Sequence, residues 1–291
     1  MTSLASPTTT VLRLTGRDVL DLLHRISTQS LTDLAAGECR ATLFCDFRAR
    51  LLHRAFAARL PDDSVWLLRD DAPGEALAAH VEKHVFREDV KVEDCGARLA
   101  VVGRLAAELA QGQVVVRDGA PSRVGIAPGA GLEVVPASSA PLSPAEAHAW
   151  ELARIDAGRP RHGHEIADAF HPYEVGLADD VHLTKGCYTG QEVLQRLITY
   201  DSVRRRLARV GGLGSVPVVP VPACVAEERV GTLTSAVGLP SGEWTGLAVL
   251  AKAALNSGAA VRVEDGEVMR EVAAFAETQP RGRTDVTRRA T

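Results

Sequence analysis

The sequence holds no apolar run approaching the ~18–20 residues that a membrane helix needs; the stretch Leu247-Ala248-Val249-Leu250-Ala251 ends at Lys252. Its start, MTSLASPTTT, has neither the charged opening nor the apolar core of a secretion signal, so the chain is expected in the cytoplasm. Neither sign of charge dominates: Lys+Arg is 33 and Asp+Glu is 37, a net charge of −4. A mildly acidic chain lacks the general phosphate-neutralising charge of a nucleic-acid binder. None of the five cysteines (Cys39, Cys45, Cys95, Cys187 and Cys224) falls in a C-x-x-C pair. That leaves no paired-thiolate zinc site and no disulfide framework. Each cysteine is then a small buried residue or a reactive thiol. Glycine-rich stretches such as Gly211-Gly212-Leu213-Gly214 lack the Gly-Lys-Ser/Thr that would follow in a phosphate loop, so nucleotide-dependent chemistry has no support.

What is present is an ordinary globular composition, 46% hydrophobic and 24% charged, over 291 residues, enough for two or three domains. Apolar residues at Val19, Leu22, Leu23 and Ile26 predict a helix over 18–27, after a strand at 11–14. Strands are expected at 40–45, 51–57 and 65–68, with 46–50 as a hairpin connection. A helical pattern covers 73–86, and further strands are expected at 98–102, 114–117 and 132–135. Ser143-Pro144-Ala145-Glu146 reads as a helix start, with a capping serine, a first-turn proline and a glutamate that can bond back. That helix should stop at Gly158 and Pro160. Residues 159–182 look irregular, and a second helix fits 190–198. Beyond Arg204, short Val/Leu/Ala runs alternate with Gly, Pro and Ser, as a small β-barrel needs. Strands and helices intermix without βαβ spacing, which predicts an α+β fold. A boundary is placed near 202–204, giving 1–203 as two intertwined α+β lobes, 204–275 as the barrel and 276–291 as a disordered tail.

The most informative stretch is Lys185-Gly186-Cys187-Tyr188-Thr189-Gly190-Gln191-Glu192. Two glycines within five residues indicate a sharply bent backbone. Cys187 would sit near a helix N-terminus with the Lys185 ammonium nearby, and both effects favour a thiolate. A turn with a buried cysteine is the alternative.

This octapeptide resembles the signature of the YgfZ family of folate-binding proteins, relatives of the glycine-cleavage T-protein (aminomethyltransferase). Arg154-Ile155-Asp156-Ala157-Gly158-Arg159-Pro160, Pro172-Tyr173-Glu174-Val175-Gly176-Leu177 and Val230-Gly231-Thr232-Leu233-Thr234-Ser235 resemble further segments of the same proteins, so the similarity runs from about residue 11 to 274. The resemblance implies a three-lobed T-protein-like fold around a funnel that accommodates tetrahydrofolate or a derivative. It further implies a role in assembly or repair of iron–sulfur clusters, with effects on tRNA methylthiolation. Partners would be folate and cluster-assembly proteins or apo-enzymes, with no direct nucleic acid and no membrane. Cys187 matches the motif cysteine, and Lys185 is its companion. Gly131-Leu132-Glu133 resembles the segment whose glutamate contacts the pterin, and a carboxylate can accept two parallel N–H bonds from a pterin edge. The alternative for Glu133 is a solvated strand end. Trp150 lies where folate contacts occur on the preceding helix, and an indole offers a flat surface for a pterin; ordinary core packing is its alternative. Arg154, four residues on and on the same face, would meet a ligand carboxylate or pair with Glu151 or Glu146.

The departures from the resemblance are specific. Arg54 occupies the place of the T-protein's catalytic aspartate, and an arginine cannot act as a carboxylate base. The turn Asp46-Phe47-Arg48-Ala49-Arg50 has Ala49 where glycine is common, which strains it if that position needs a positive φ. Tyr173 replaces a glutamine, and Thr199-Tyr200-Asp201-Ser202 lacks an expected glycine.

Other constellations read more plainly. His162, His164, His171 and His182 lack an accompanying thiolate or H-E-x-x-H pattern, which favours solvated loop histidines over metal ligands. His80 and His84 read as a surface pair. The run Arg204-Arg205-Arg206, with Arg196, either steers a folate polyglutamate tail or an acidic partner, or is a strand with solvated arginines. The functional expectation is a tetrahydrofolate-binding factor for iron–sulfur proteins with a reactive thiol. The alternatives are a folate-dependent aminomethyl transferase, which Arg54 argues against, and a non-catalytic adaptor.

Overall fold

The computed structural model describes residues 9–139, 142–263, 269 and 271–282. The chain divides into two compact units, each assembled from separated stretches of sequence. The first comprises the chain up to Asp46, Leu52–Ser143 and Lys185–Thr189; the second comprises Phe47–Leu51, Pro144–Thr184 and the chain from Gly190 on.

In the first unit, strands β1 (Thr10–Thr15), β2 (Cys39–Cys45), β3 (Leu51–Arg59), β4 (Val65–Arg69) and β5 (Lys91–Asp94) form one sheet in the order β2-β3-β4-β1-β5. Helices α1 (Val19–Ile26) and α2 (Glu75–Glu82) share its core. The spacing of Val19, Leu22, Leu23 and Ile26 puts all four on one helix face, and all four are buried. Leu12 and Leu14, alternate residues of β1, enter the same core. A second sheet contains β6 (Leu99–Ala107), β7 (Val114–Arg117), β8 (Ala120–Ala127) and β9 (Gly129–Pro136), antiparallel in the order β6-β9-β8-β7. The α2 helix is shorter than the pattern over 73–86 predicted.

The second unit contains α3 (Pro144–Asp156), α4 (Gln191–Thr199) and α5 (Lys252–Ser257). With them is a six-stranded antiparallel sheet of β10 (Arg205–Leu213), β11 (Val221–Val225), β12 (Glu228–Gly238), β13 (Glu243–Ala251), β14 (Arg262–Val263) and β15 (Glu271–Ala274). Its order is β14-β11-β12-β13-β10-β15. The strands beyond Arg204 share their unit with α3, which packs on β12 and β13, so compactness does not divide at 202–204. The glycine run at 211–214 lies at the end of β10. A Cβ on Gly212 would stand 2.6 Å from the buried Trp244 ring, so the indole lies where only glycine permits it.

Two of the sequence departures have structural counterparts. Ala49 is buried with φ +60°, so alanine does occupy the left-handed conformation that glycine would take there more readily. At the end of α4, the N–H of Asp201 bonds the Ile198 carbonyl (3.2 Å) and that of Ser202 the Leu197 carbonyl (3.0 Å). This is a Schellman closure with Asp201, at φ +46°, in the position glycine favours. Of the tail expected to lack order, residues 276–282 belong to no helix or strand but are tied down at Arg281, which donates its N–H to Val181 O (2.8 Å) and accepts from Leu183 N–H (2.9 Å). Backbone hydrogen bonds, which an apolar count does not register, hold this segment. Residues 283–291 lie outside the described residues.

Asp201→Gly is expected to stabilise the chain by about 0.5–1 kcal/mol, relief of the left-handed conformation outweighing the added freedom of the unfolded chain. Urea unfolding followed by circular dichroism checks this, and an unchanged or lower midpoint contradicts it.

Candidate functional site

The signature stretch from Lys185 to Thr189 belongs to the first unit and is held there by His24 of α1. The N–H of Leu31 donates to His24 Nδ1 (3.1 Å), so the ring proton is on Nε2 and is donated to the Lys185 carbonyl (2.9 Å). The Lys185 ammonium in turn donates to the His24 carbonyl, which closes a reciprocal clamp. It also stands 4.8 Å from the centre of the Tyr188 ring. Burial pulls Lys185 down to about 8, and burial followed by the nearby Cys45 pushes the Tyr188 hydroxyl up. Gly186 (φ +126°) and Gly190 (φ +85°) flank the turn, as the glycine spacing predicts. Between them Tyr188 is buried and Cys187 is exposed. The partners of the Lys185 ammonium are thus a carbonyl and an aromatic face.

Trp150 and Arg154 lie on α3 in the second unit. The Arg154 guanidinium is buried and engaged from several sides. Its Nε and Nη2 donate to Glu151 (2.9 and 2.6 Å), its Nη1 to the Arg159 carbonyl (2.8 Å) and Glu165 (3.2 Å), and its Nη2 to Ser235 Oγ (2.8 Å). Glu165 is fully buried and also accepts from Ser235 Oγ (2.7 Å), Thr234 Oγ1 (2.5 Å) and the Arg161 N–H (3.2 Å). Burial opposes ionisation of Glu151, but the hydrogen bonds and charge of Arg154 outweigh it and hold that carboxyl below its usual range. Arg154 therefore takes the protein-pairing alternative, with Glu151 as anticipated and with Glu165, which sequence reasoning missed. Arg159 lies 4.3 Å over the Trp150 ring, so one indole face carries a guanidinium.

Glu133 is on β9 in the first unit, where Arg104 Nε donates to its Oε2 (2.6 Å). It lines a cavity of about 270 Å³ with Arg104, Glu108, Arg123 and Gly131.

The histidines differ from expectation. His171 is buried beside Glu174, and burial, helped by Arg50 and Arg205 and opposed by Glu174, pulls it down to about 4. His164 Nδ1 bonds the Thr234 carbonyl (2.6 Å). Packing thus encloses His171, and a backbone carbonyl holds the half-buried His164, where solvated loop imidazoles were expected. His80 is likewise buried, its ring packed edge-on with both Phe44 (5.3 Å) and His53 (5.5 Å), and desolvation pulls it to about 4. It is not half of a surface pair. Among the described residues no group of three or more His, Cys, Asp or Glu could hold a metal ion.

The crystal structure of glycine cleavage system aminomethyltransferase T from Bartonella henselae matches with a TM-score of 0.74, covering 95% of this chain and 86% of that one at 16% identity. The fold is the α+β fold of the glycine-cleavage T-protein. A chloroplastic protein of Arabidopsis thaliana, named as a candidate transferase, is 28% identical over 287 residues, covering 87% of this chain. An aminomethyltransferase of Moorella thermoacetica is 32% identical over 126 residues, covering 42% of this chain. The aligned regions span 66% of the plant protein and 34% of the bacterial one. No protein-family model matches the chain. No described helix of this T-protein fold is long and apolar enough to cross a membrane.

Arg154→Met is expected to cost about 3–5 kcal/mol, because it strands the buried Glu165 carboxylate. Denaturant unfolding measures it, and a loss below about 1 kcal/mol contradicts the pairing. His171 makes stability pH-dependent: unfolded chain binds its proton near the ordinary value of 6.5, folded chain only near 4. Stability should therefore fall as pH drops through that window, by about 1–3 kcal/mol. His171→Gln should flatten that part of the unfolding profile; an unaltered slope contradicts the assignment.

Proposed function

We propose that this chain is a tetrahydrofolate-binding protein of the YgfZ type that supports assembly or repair of iron–sulfur clusters in the cytoplasm. Its effect on tRNA modification is indirect, through client enzymes. Cys187 presents the working thiol. The observation that carries this reading is the contrast among the five cysteines: Cys39, Cys45 and Cys95 are buried, Cys224 is half-buried, and Cys187 is exposed within the KGCYTGQE turn. Burial pushes the thiols of Cys39 and Cys45 far up, which makes them inert packing. A cluster takes about four protein ligands, so the remaining ones come from a client or from small thiols. Lys185, at about 8, is mostly protonated at neutral pH and keeps positive charge in the turn.

The side chains suit a folate in kind. Glu133 keeps carboxylate lone pairs beyond the bond from Arg104 and can accept from a pterin edge. Trp150, half-buried on α3, is an indole of the kind that packs against a pterin ring. Each is assigned as a folate contact on the strength of the resemblance, and Arg154 supports the Trp150 helix. Tetrahydrofolate supplies one-carbon chemistry when bound; the protein's residues bind and orient it.

Cells lacking the native protein, complemented with wild type or Cys187→Ser, test the thiol through the activity of a methylthiolation enzyme. Wild type should restore activity and the variant should not; equal rescue removes the thiol from the mechanism. In parallel, Trp150→Ala should weaken tetrahydrofolate binding about tenfold by calorimetry, a loss of ~1.4 kcal/mol. The names of the two relatives favour a second reading, a folate-dependent aminomethyl transferase. Arg54, placed 5.0 Å over the Phe56 ring, brings no carboxylate to that chemistry. Turnover of an aminomethylated carrier protein would rank this reading first.

A further inference from the structure

A cavity of about 390 Å³, whose described lining residues all belong to the second unit, stands apart from Cys187, Lys185, Glu133, Trp150 and Arg154. Its apolar wall includes Leu197 and Ile198 of α4, Val203, Leu207 and Phe275. Two cations reach it from regular elements. Arg206 stands on β10 and donates from Nη2 to the Phe275 carbonyl. Lys252 opens α5, and its backbone N–H is fixed to the Arg204 carbonyl (2.9 Å). Both are largely sheltered, with side chains 26% and 31% exposed. A single carboxylate oxygen answers them: Glu277 Oε1 lies 2.8 Å from Lys252 Nζ and 3.8 Å from Arg206 Nη1.

The carboxylate differs from the cations in its support. Glu277 is 48% exposed and sits on a run that belongs to no helix or strand. That run is pinned at both ends, by Phe275 packed against Gly158 and by Arg281 bonded to Val181 and Leu183. Turning one exposed side chain outward frees the cation pair without moving either pin. Among the described residues, the charged groups then lining the cavity are Arg206, Lys252 and Asp201, a net charge of +1 beside an apolar wall. A volume of this size is typical of small-molecule sites.

We propose that this cavity binds a small organic anion, a carboxylate or phosphate head on a compact apolar body, with Glu277 occupying the head's place until the ligand displaces it. The head sits between Arg206 and Lys252, where an arginine fork and a lysine point charge suit either anion. The body lies against Leu197, Ile198, Leu207 and Phe275. This site is independent of the folate reading and of Cys187.

The test is calorimetric titration of the full chain at low salt with phenyl phosphate, phenylacetate and benzylamine. Wild type should bind at least one of the two anions at one equivalent and should not bind benzylamine. Glu277→Gln, which removes the resident anion, should tighten binding at least about fivefold, and Lys252→Met should weaken it about tenfold. The tighter anion identifies the natural head. The proposal is overturned if Lys252→Met binds as wild type does, or if benzylamine binds as well as the anions. It is also overturned if neither wild type nor Glu277→Gln shows saturable anion binding up to about 10 mM. Circular dichroism of each variant, matched to wild type, keeps a folding defect from being read as lost binding.

Discussion

The guanidinium of Arg154 and the carboxylate of Glu165, both sealed inside the second unit, determine where the surrounding elements lie. Taking two such charges out of water costs several kcal/mol apiece, and mutual attraction alone does not reliably repay it. Here the cost is offset because the other donors and acceptors are also used. Arg154 reaches Glu151, Ser235 and the Arg159 carbonyl, while Glu165 collects two hydroxyls and a backbone N–H. These partners come from α3, from the run following it and from β12, so one ion pair fixes three pieces of chain against one another. Arg159 is part of the same arrangement, and its guanidinium covers Trp150 because its backbone is tied to Arg154.

The signature turn follows a different logic. Its cation is spent on holding the turn in shape, by the exchange of hydrogen bonds between Lys185 and His24, while the sulfur two residues later is left to solvent. A thiol on a well-held loop is oriented without being enclosed. The buried thiols of Cys39 and Cys45 show what the same atom does when packing claims it.

How much of this could be read in advance depended on the range of the interaction. Apolar spacing within two turns identified α1, and Ser143-Pro144-Ala145-Glu146 located the start of α3. The two glycines of the octapeptide marked the backbone reversal that carries Cys187. Residues 91–94, with a single apolar side chain, and 120–127, broken by Pro121 and Gly125, carry no alternation strong enough to mark β5 and β8. The partners of Arg154 were hidden for another reason: Glu165 is 11 residues away and Ser235 is 81, and no local pattern links them. The burial of His80 and His171 arises from packing by other segments. Ala49 and Asp201 were visible only as departures from a family pattern, and the structure supplies their meaning as left-handed residues that are not glycine.

The bridge between Arg281 and residues 181–183 ties a late stretch of sequence to the segment that runs directly into Lys185. Trimming the chain from its far end is therefore not a neutral change. Cutting before position 281 deletes a strand-like neighbour from the lead-in to the turn that carries Cys187, and the loosened backbone begins only a few residues upstream of the sulfur.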